Sequence, residues 1–270
     1  MKISSKRLTT TLVRWLVLSA SAMTMPLVAS AQQSPEPKPT VVLVHGAFAD
    51  SSSWNGVIGQ LHDKGYTVIA APNELRSVKG DAAFVGSLVK SIQGPVVLVG
   101  HSYGGSVISE AATGQDKVKA LVYVAAFAPE VGESAAELSG RFPGGSLGPA
   151  LAPPVELADG GKALYIEQDK FHAQFAADVP SAQAMLMGVG QRPVTDAALH
   201  EASASAAWKT IPSWFVYGSA DLNIPPAAQA FMATRAHSRK TVVIKEASHV
   251  VMVSHPEEVA ALIEQAALAK

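Results

Sequence analysis

From Thr40 onward, short runs of apolar, β-branched residues alternate with stretches whose apolar residues recur every three or four positions. The runs at 40–44 (TVVLV), 67–71, 96–100 (VVLVG), 118–125 (VKALVYVA), 213–217 and 241–244 show little polar alternation. Such runs predict strands of a parallel sheet with helices over both faces. Between them, Trp54, Val57, Ile58 and Leu61 fall at i, i+3, i+4 and i+7, with Ser53 the expected N-cap and Gly65 the expected stop. Val85, Leu88, Val89 and Ile92 repeat that spacing before Gly94-Pro95. Val259, Leu262, Ile263 and Ala266 do so near the C-terminus, behind Ser254 and Glu257 at capping-box spacing. The alternation predicts an α/β fold, a mostly parallel sheet of about six strands with helices on both faces.

Residues 128–210 break the rhythm. They open with a Gly/Pro-rich stretch, Gly140 to Pro154, and continue with short segments rich in Ala, Met and Phe. The expectation is a small helical cap inserted between two sheet strands, its Gly/Pro stretch either a long surface loop or a mobile lid. The body is thus one domain, 40–270, with the insertion at 128–210. Residues 1–31 differ from it. A basic stretch to Arg14, an apolar run from Trp15 to Val28 and a small-residue end at Ala29-Ser30-Ala31 have the layout of a secretory signal peptide. Ser19, Ser21, Thr24 and Pro26 interrupt the apolar run, which makes it poor as a spanning helix. An exported protein, periplasmic or secreted by a bacterium, is expected, with residues 32–39 as an extended leader.

Composition narrows the chemistry. The 270 residues are 48% hydrophobic and 16% charged, which is globular and not disordered. No cysteine is present, so thiolate metal sites, disulfides and a cysteine nucleophile are excluded. Setting aside Lys2, Lys6, Arg7 and Arg14 leaves 17 basic against 22 acidic side chains, a net of −5. A negative body disfavours nucleic acid and anionic membrane surfaces as partners. There is no His-Glu-x-x-His, no other ligand spacing, and no Lys-Ser/Thr after Gly100, so neither a metal nor a phosphate-loop cofactor is expected.

The informative segment is Gly100-His101-Ser102-Tyr103-Gly104. Gly-x-Ser-x-Gly arises by chance in roughly one chain in ten of this length. Here it follows a buried-type strand and opens a helix-like stretch, as a nucleophile elbow requires. Serine is a weak nucleophile until a base takes its proton, so a histidine and an orienting acid are needed. His249, just after the last strand, and Asp221, just after the preceding one, are the candidates, and the chain order Ser, Asp, His agrees. Asp116 precedes a strand, and Asp169, Asp178 and Asp196 belong to the insertion, so they are worse placed as the acid. The loop His45-Gly46-Ala47-Phe48 after the first strand would supply one oxyanion-hole amide, that of Ala47, and Tyr103 the other. His45 fits a loop-shaping hydrogen bond better than the base.

These landmarks, His45-Gly46-Ala47, Gly100-His-Ser-Tyr-Gly104, Asp221 before Ile224-Pro225, and His249, resemble the α/β-hydrolase superfamily over about residues 40 to 268. Within it the chain looks most like the branch holding plant methylesterases, hydroxynitrile lyases and small bacterial esterases. The resemblance implies an α/β-hydrolase fold and cofactor-free acyl chemistry, with Ser102 as nucleophile, His249 as base and then acid, and Asp221 orienting the imidazole. Lyases of this branch carry a lysine after the histidine; here it is Val250. Ester over amide rests on the resemblance alone. A perhydrolase or haloperoxidase, a C–C bond hydrolase and a non-catalytic ligand-binding protein remain alternatives, though a binding protein has no use for a complete triad. The expected partner is a small-molecule ester, and the expected state a monomer or weak homodimer. Phe48, Phe127, Phe171 and Phe175, with Tyr103, Met185 and Met187, are candidates for an apolar pocket. Lys170 and Arg192 are candidates for meeting a carboxylate.

Overall fold

The computed structural model describes residues 37–269, together with positions 1 and 11. The expected signal segment and most of the leader lie outside the described residues. Along the chain the elements are β1 (Thr40–Val44), α1 (Asn55–Asp63), β2 (Val68–Ala71), α2 (Val78–Ser91), β3 (Val96–His101), α3 (Gly104–Ala111) and β4 (Val118–Val124). The segment after β4 holds α4 (Ala135–Gly140), α5 (Leu147–Ala150), β5 (Val155–Glu156), β6 (Lys162–Leu164), α6 (Gln168–Phe175), α7 (Ser181–Gly190), β7 (Val194–Thr195) and α8 (Asp196–His200). The chain then completes β8 (Ser213–Gly218), α9 (Pro226–Arg235), β9 (Lys240–Ile244), α10 (Val251–Ser254) and α11 (Pro256–Leu268).

Six strands form one sheet in the order β2-β1-β3-β4-β8-β9, every pairing parallel. Every residue of β1 and β3 is buried, as unbroken apolar runs require when helices cover both faces. The apolar stripes of α1, α2 and α11 face this core through Val57 and Leu61, Val85 and Val89, and Val259, Leu262 and Ile263. Helix starts differ in detail from expectation. Ser53 lies inside a short 3-10 turn, Ser51–Trp54, which the Asp50 side chain caps. Ser254 and Glu257 form no capping box, because α11 starts at Pro256 and needs no donor there. A capping box does form at Ser134 and Glu137, at the start of α4. The insertion is built of α4 to α8 and adds a three-stranded antiparallel sheet, β5-β6-β7, whose strands of two or three residues are too short to leave a periodic trace.

From β1 the chain runs to β2 on one side and then to β3 on the other. That reversal opens a crevice at the C-terminal ends of β1 and β3, where ligands of such sheets bind. Val44 and Gly100 are register partners there, so the loops after β1 and β3 leave the sheet side by side. Gly218 and Ile244 are likewise paired, which sends the loops after β8 and β9 off together. Among the described residues no helix is long and apolar enough to cross a membrane.

Candidate active site

Ser102 follows β3 directly and holds φ at +54°, a left-handed conformation that costs a non-glycine residue about 1–2 kcal/mol. Neighbouring backbone over-determines it. Ser102 N–H donates to Val124 O at 3.3 Å, while Ser102 O accepts from Gly105 N at 2.9 Å and Phe127 N at 3.1 Å. A Cβ on Gly100 would lie 2.5 Å from Gly104 O, so glycine there is a requirement of the sharp turn. At Gly46 a Cβ would lie 2.6 Å from Ser102 Cβ, so its absence lets the β1 loop close on the serine.

The neighbouring loops converge from β8 and β9. Ala220 N–H donates to Ala247 O at 3.0 Å, and this crossing brings Asp221 to His249. Asp221 Oδ2 lies 2.8 Å from His249 Nδ1, with both side chains buried. Asp221 Oδ1 accepts from Asn223 N at 2.8 Å and Ile224 N at 3.0 Å, and Oδ2 also accepts from Gln229 Nε2 at 2.8 Å. A carboxylate only accepts, so the proton of the neutral imidazole sits on Nδ1 and Nε2 carries the lone pair. Nε2 is buried and makes no hydrogen bond, to Ser102 or to any other group of the described residues. Ser102 and His249 nonetheless line one cavity of about 470 Å³.

Ala47 and Tyr103 line the same cavity, and neither amide donates to another group of the described residues. The Tyr103 side chain points the other way, its hydroxyl donating to Asp81 Oδ2 at 2.9 Å. Burial pushes the Asp81 carboxyl up to about 6, against that hydrogen bond. His45 shapes the loop: Nδ1 lies 3.0 Å from Gly46 O, and Nε2 accepts from Asn73 N at 3.0 Å. Burial lowers its pKa, in keeping with a neutral ring.

The cavity is mainly apolar. Phe48, Phe127 and Phe175 line it, joined by Phe142, Leu147 and Leu151 from the insertion's Gly/Pro stretch. Phe171 does not line it; it is wholly buried between Phe175 and α7, where a Cβ on Gly188 would touch its ring. Met185 is 56% exposed and Met187 faces a separate groove, so neither belongs to the site. Lys170 is engaged with Glu167 and Pro149 O. Arg192 contributes only its carbonyl, which accepts from Phe48 N at 3.0 Å. Among the described residues no lysine or arginine lines the cavity, and no cluster of three or more His, Cys, Asp or Glu could hold a metal ion.

Two buried residues escaped the sequence reading. Gln229 lies on the buried side of α9 with Ala228, Met232 and Ala233, and a polar residue on that face was the available signal. His101, inside the serine motif, is fully buried with Nε2 3.3 Å from His249 O and its ring 4.8 Å from that of His249. Burial lowers its pKa well below the usual imidazole value, with a further push from His249.

A family model described as "Alpha/beta hydrolase family" matches residues 41–262. The Alpha/beta hydrolase nvfD of Aspergillus novofumigatus is 28% identical over 85% of this chain and 97% of its own length. The Pyrethroid hydrolase of Sphingobium wenxiniae is 27% identical over 83% of this chain and 85% of its own. Among solved structures, polyneuridine aldehyde esterase superposes with a TM-score of 0.74 at 19% identity, over 85% of this chain and 99% of that one. At that identity the likeness concerns the fold.

Proposed function

The chain belongs to the alpha/beta hydrolase family, and on that premise we propose that it is a serine esterase cleaving small to medium apolar carboxylic esters. The observation that carries this reading is the state of His249. Its Nδ1 is engaged by Asp221, and its Nε2 is buried and free in the wall of the cavity that Ser102 shares. Nucleophile–base hydrogen bonds are often long in unliganded sites and tighten when substrate binds.

In this reading Ser102 Oγ attacks the ester carbonyl carbon while His249 Nε2 takes its proton. The oxyanion so formed receives the N–H groups of Ala47 and Tyr103. Collapse expels the alcohol, which leaves with the proton from Nε2, and an acyl-serine remains. Water then attacks the acyl carbon, again giving its proton to Nε2. Ser102 departs with that proton, and the carboxylic acid is released. Asp221 keeps the Nδ1–H tautomer throughout and offsets the imidazolium charge. No cofactor is called for.

The apolar lining and the absence of lysine or arginine from it support a neutral ester. Relatives named as a pyrethroid hydrolase and a carbendazim hydrolyzing esterase support ester-type chemistry. Val250, buried directly after His249, supports hydrolysis over a lyase reaction that needs a cation there. The order of residues 1–31 supports export, and the mature protein is proposed to be a monomer or weak dimer. Turnover of p-nitrophenyl butyrate by wild type and by Ser102→Ala tests the reading. Loss in a variant that keeps its circular dichroism spectrum is expected; wild-type turnover would remove the nucleophile.

A further inference from the structure

The turn between α6 and α7 holds a carboxylate that the mechanism above does not use. Asp178 accepts a hydrogen bond at Oδ1 from the hydroxyl of Ser248, the residue immediately before His249. Its other oxygen, Oδ2, is buried and accepts no hydrogen bond from the described residues, with His255 Nδ1 at 3.6 Å. The Asp178 side chain is 18% exposed, so it is not wholly cut off from water, while Oδ1 is tied to the residue before His249. Ser248 is itself buried, and neither it nor Asp178 lines the substrate cavity.

What Asp178 is fixed to matters equally. In α6, Gln174 Nε2 donates to Leu222 O at 3.0 Å and to Asn223 Oδ1 at 3.2 Å, while Asn223 Nδ2 donates to Gln174 O at 3.1 Å. His172 Nε2 lies 2.9 Å from Val179 O, which closes the turn around Asp178. The end of α6 is therefore bound to the loop that carries Asp221. The Phe175 ring packs edge-on against the His249 ring at 5.0 Å. The His249 carbonyl also accepts from His101 Nε2 at 3.3 Å. The main chain at His249 is thus held through the Ser248 side chain and by His101.

We propose that Asp178 is a positioning residue for the base: acting through Ser248, it fixes the His249 main chain so that Nε2 stays beside Ser102 while Nδ1 stays on Asp221. The inserted segment then forms part of the catalytic frame as well as roofing the cavity. The inference rests on the reading of His249 as general base. A misplacement of about 1 Å in a reacting group can cost about 100-fold in rate, and the loss should fall on kcat because the cavity lining is untouched.

Steady-state kinetics with p-nitrophenyl butyrate on Ser248→Ala, Asp178→Ala, Asp178→Asn and the Ser248→Ala/Asp178→Ala pair test it, with melting curves alongside. Each alanine variant is expected to lose about 10- to 100-fold in kcat with KM changed by no more than about 2-fold. Asp178→Asn, which keeps an acceptor oxygen, should recover most of the loss, and the double variant should be no worse than the poorer single one. Unchanged kcat in Ser248→Ala, a loss confined to KM, or additive losses would overturn the proposal. Ser248→Ala removes one hydroxyl and carries the test alone if Asp178→Ala fails to fold. His249→Ala separates the two levels: an inactive His249→Ala beside a fully active Ser248→Ala discards only the tether, whereas an active His249→Ala discards the base.

Discussion

His249 Nδ1 and Asp221 Oδ2 stand 2.8 Å apart in side chains that are 1% and 0% exposed, and Asp221 accepts three further N–H groups besides. Four donors leave the carboxylate one orientation, so it can hold the imidazole in a single tautomer. Asp221→Asn should therefore lower kcat by up to about 10⁴-fold, because an amide can present its own N–H to Nδ1 and favour the wrong tautomer. Asp169→Asn, in the first turn of α6, should leave kcat as it was. Equal activity of both variants would assign the orienting role elsewhere.

Gly218 is the point where the loops carrying Asp221 and His249 cross. A Cβ there would lie 2.1 Å from Ala247 O and 2.5 Å from Ser248 O, both backbone atoms with no rotamer to move. Gly218→Ala should cost about 1–3 kcal/mol in chemical denaturation and more in activity than that loss explains, since the loops must part. Gly140→Ala, with nothing within 4 Å of its Cβ, is the control that should change stability little.

Two phenylalanines that look alike in the sequence separate in the fold. Phe171→Ala empties a core position and should cost about 3–5 kcal/mol without altering the preference among acyl chain lengths. Phe127→Ala enlarges the cavity and should shift that preference toward longer chains. Kinetics on acetate, butyrate, hexanoate and octanoate esters, with melting curves, read both effects. A chain-length shift in the Phe171 variant would return it to the pocket.

Stability should carry two opposed proton linkages. His45 and His101 are held below the ordinary imidazole value by burial. As the pH drops below about 6.5, the unfolded chain binds protons that the folded chain refuses, and stability falls. Asp81, pushed up to about 6 by burial, acts the other way: its stabilising contribution is complete below 3.8, the unfolded value, and is lost as the pH rises through about 6. Denaturant unfolding should show acid weakening below pH 6.5, and Asp81→Asn should weaken more steeply than wild type between pH 6 and 4. Parallel profiles for the two proteins would contradict the raised Asp81 value.

Much of this was legible in the sequence for a physical reason. β1 and β3 are buried on both faces, so their runs stay apolar without interruption, and Ser102, Asp221 and His249 each follow a strand end that such runs mark. What stayed hidden depends on contacts between distant segments. Gln229 lies eight residues from Asp221, yet only the fold of α9 turns it inward. Phe171 and Phe175 lie four apart on α6, and which of them reaches the cavity is decided by α7 packing over the first. Asp178 lies in the insertion, away from the strand ends that mark the site, and its link to Ser248 spans 70 positions.

The central claim is that Ser102 is a nucleophile activated by His249. Treatment with a fluorophosphonate followed by peptide mass spectrometry tests it most directly. A single phosphonyl adduct on Ser102, lost in His249→Ala under the same exposure, is the outcome the structure leads one to expect. An unlabelled Ser102 in protein that still hydrolyses esters, or an adduct on another residue, would contradict it.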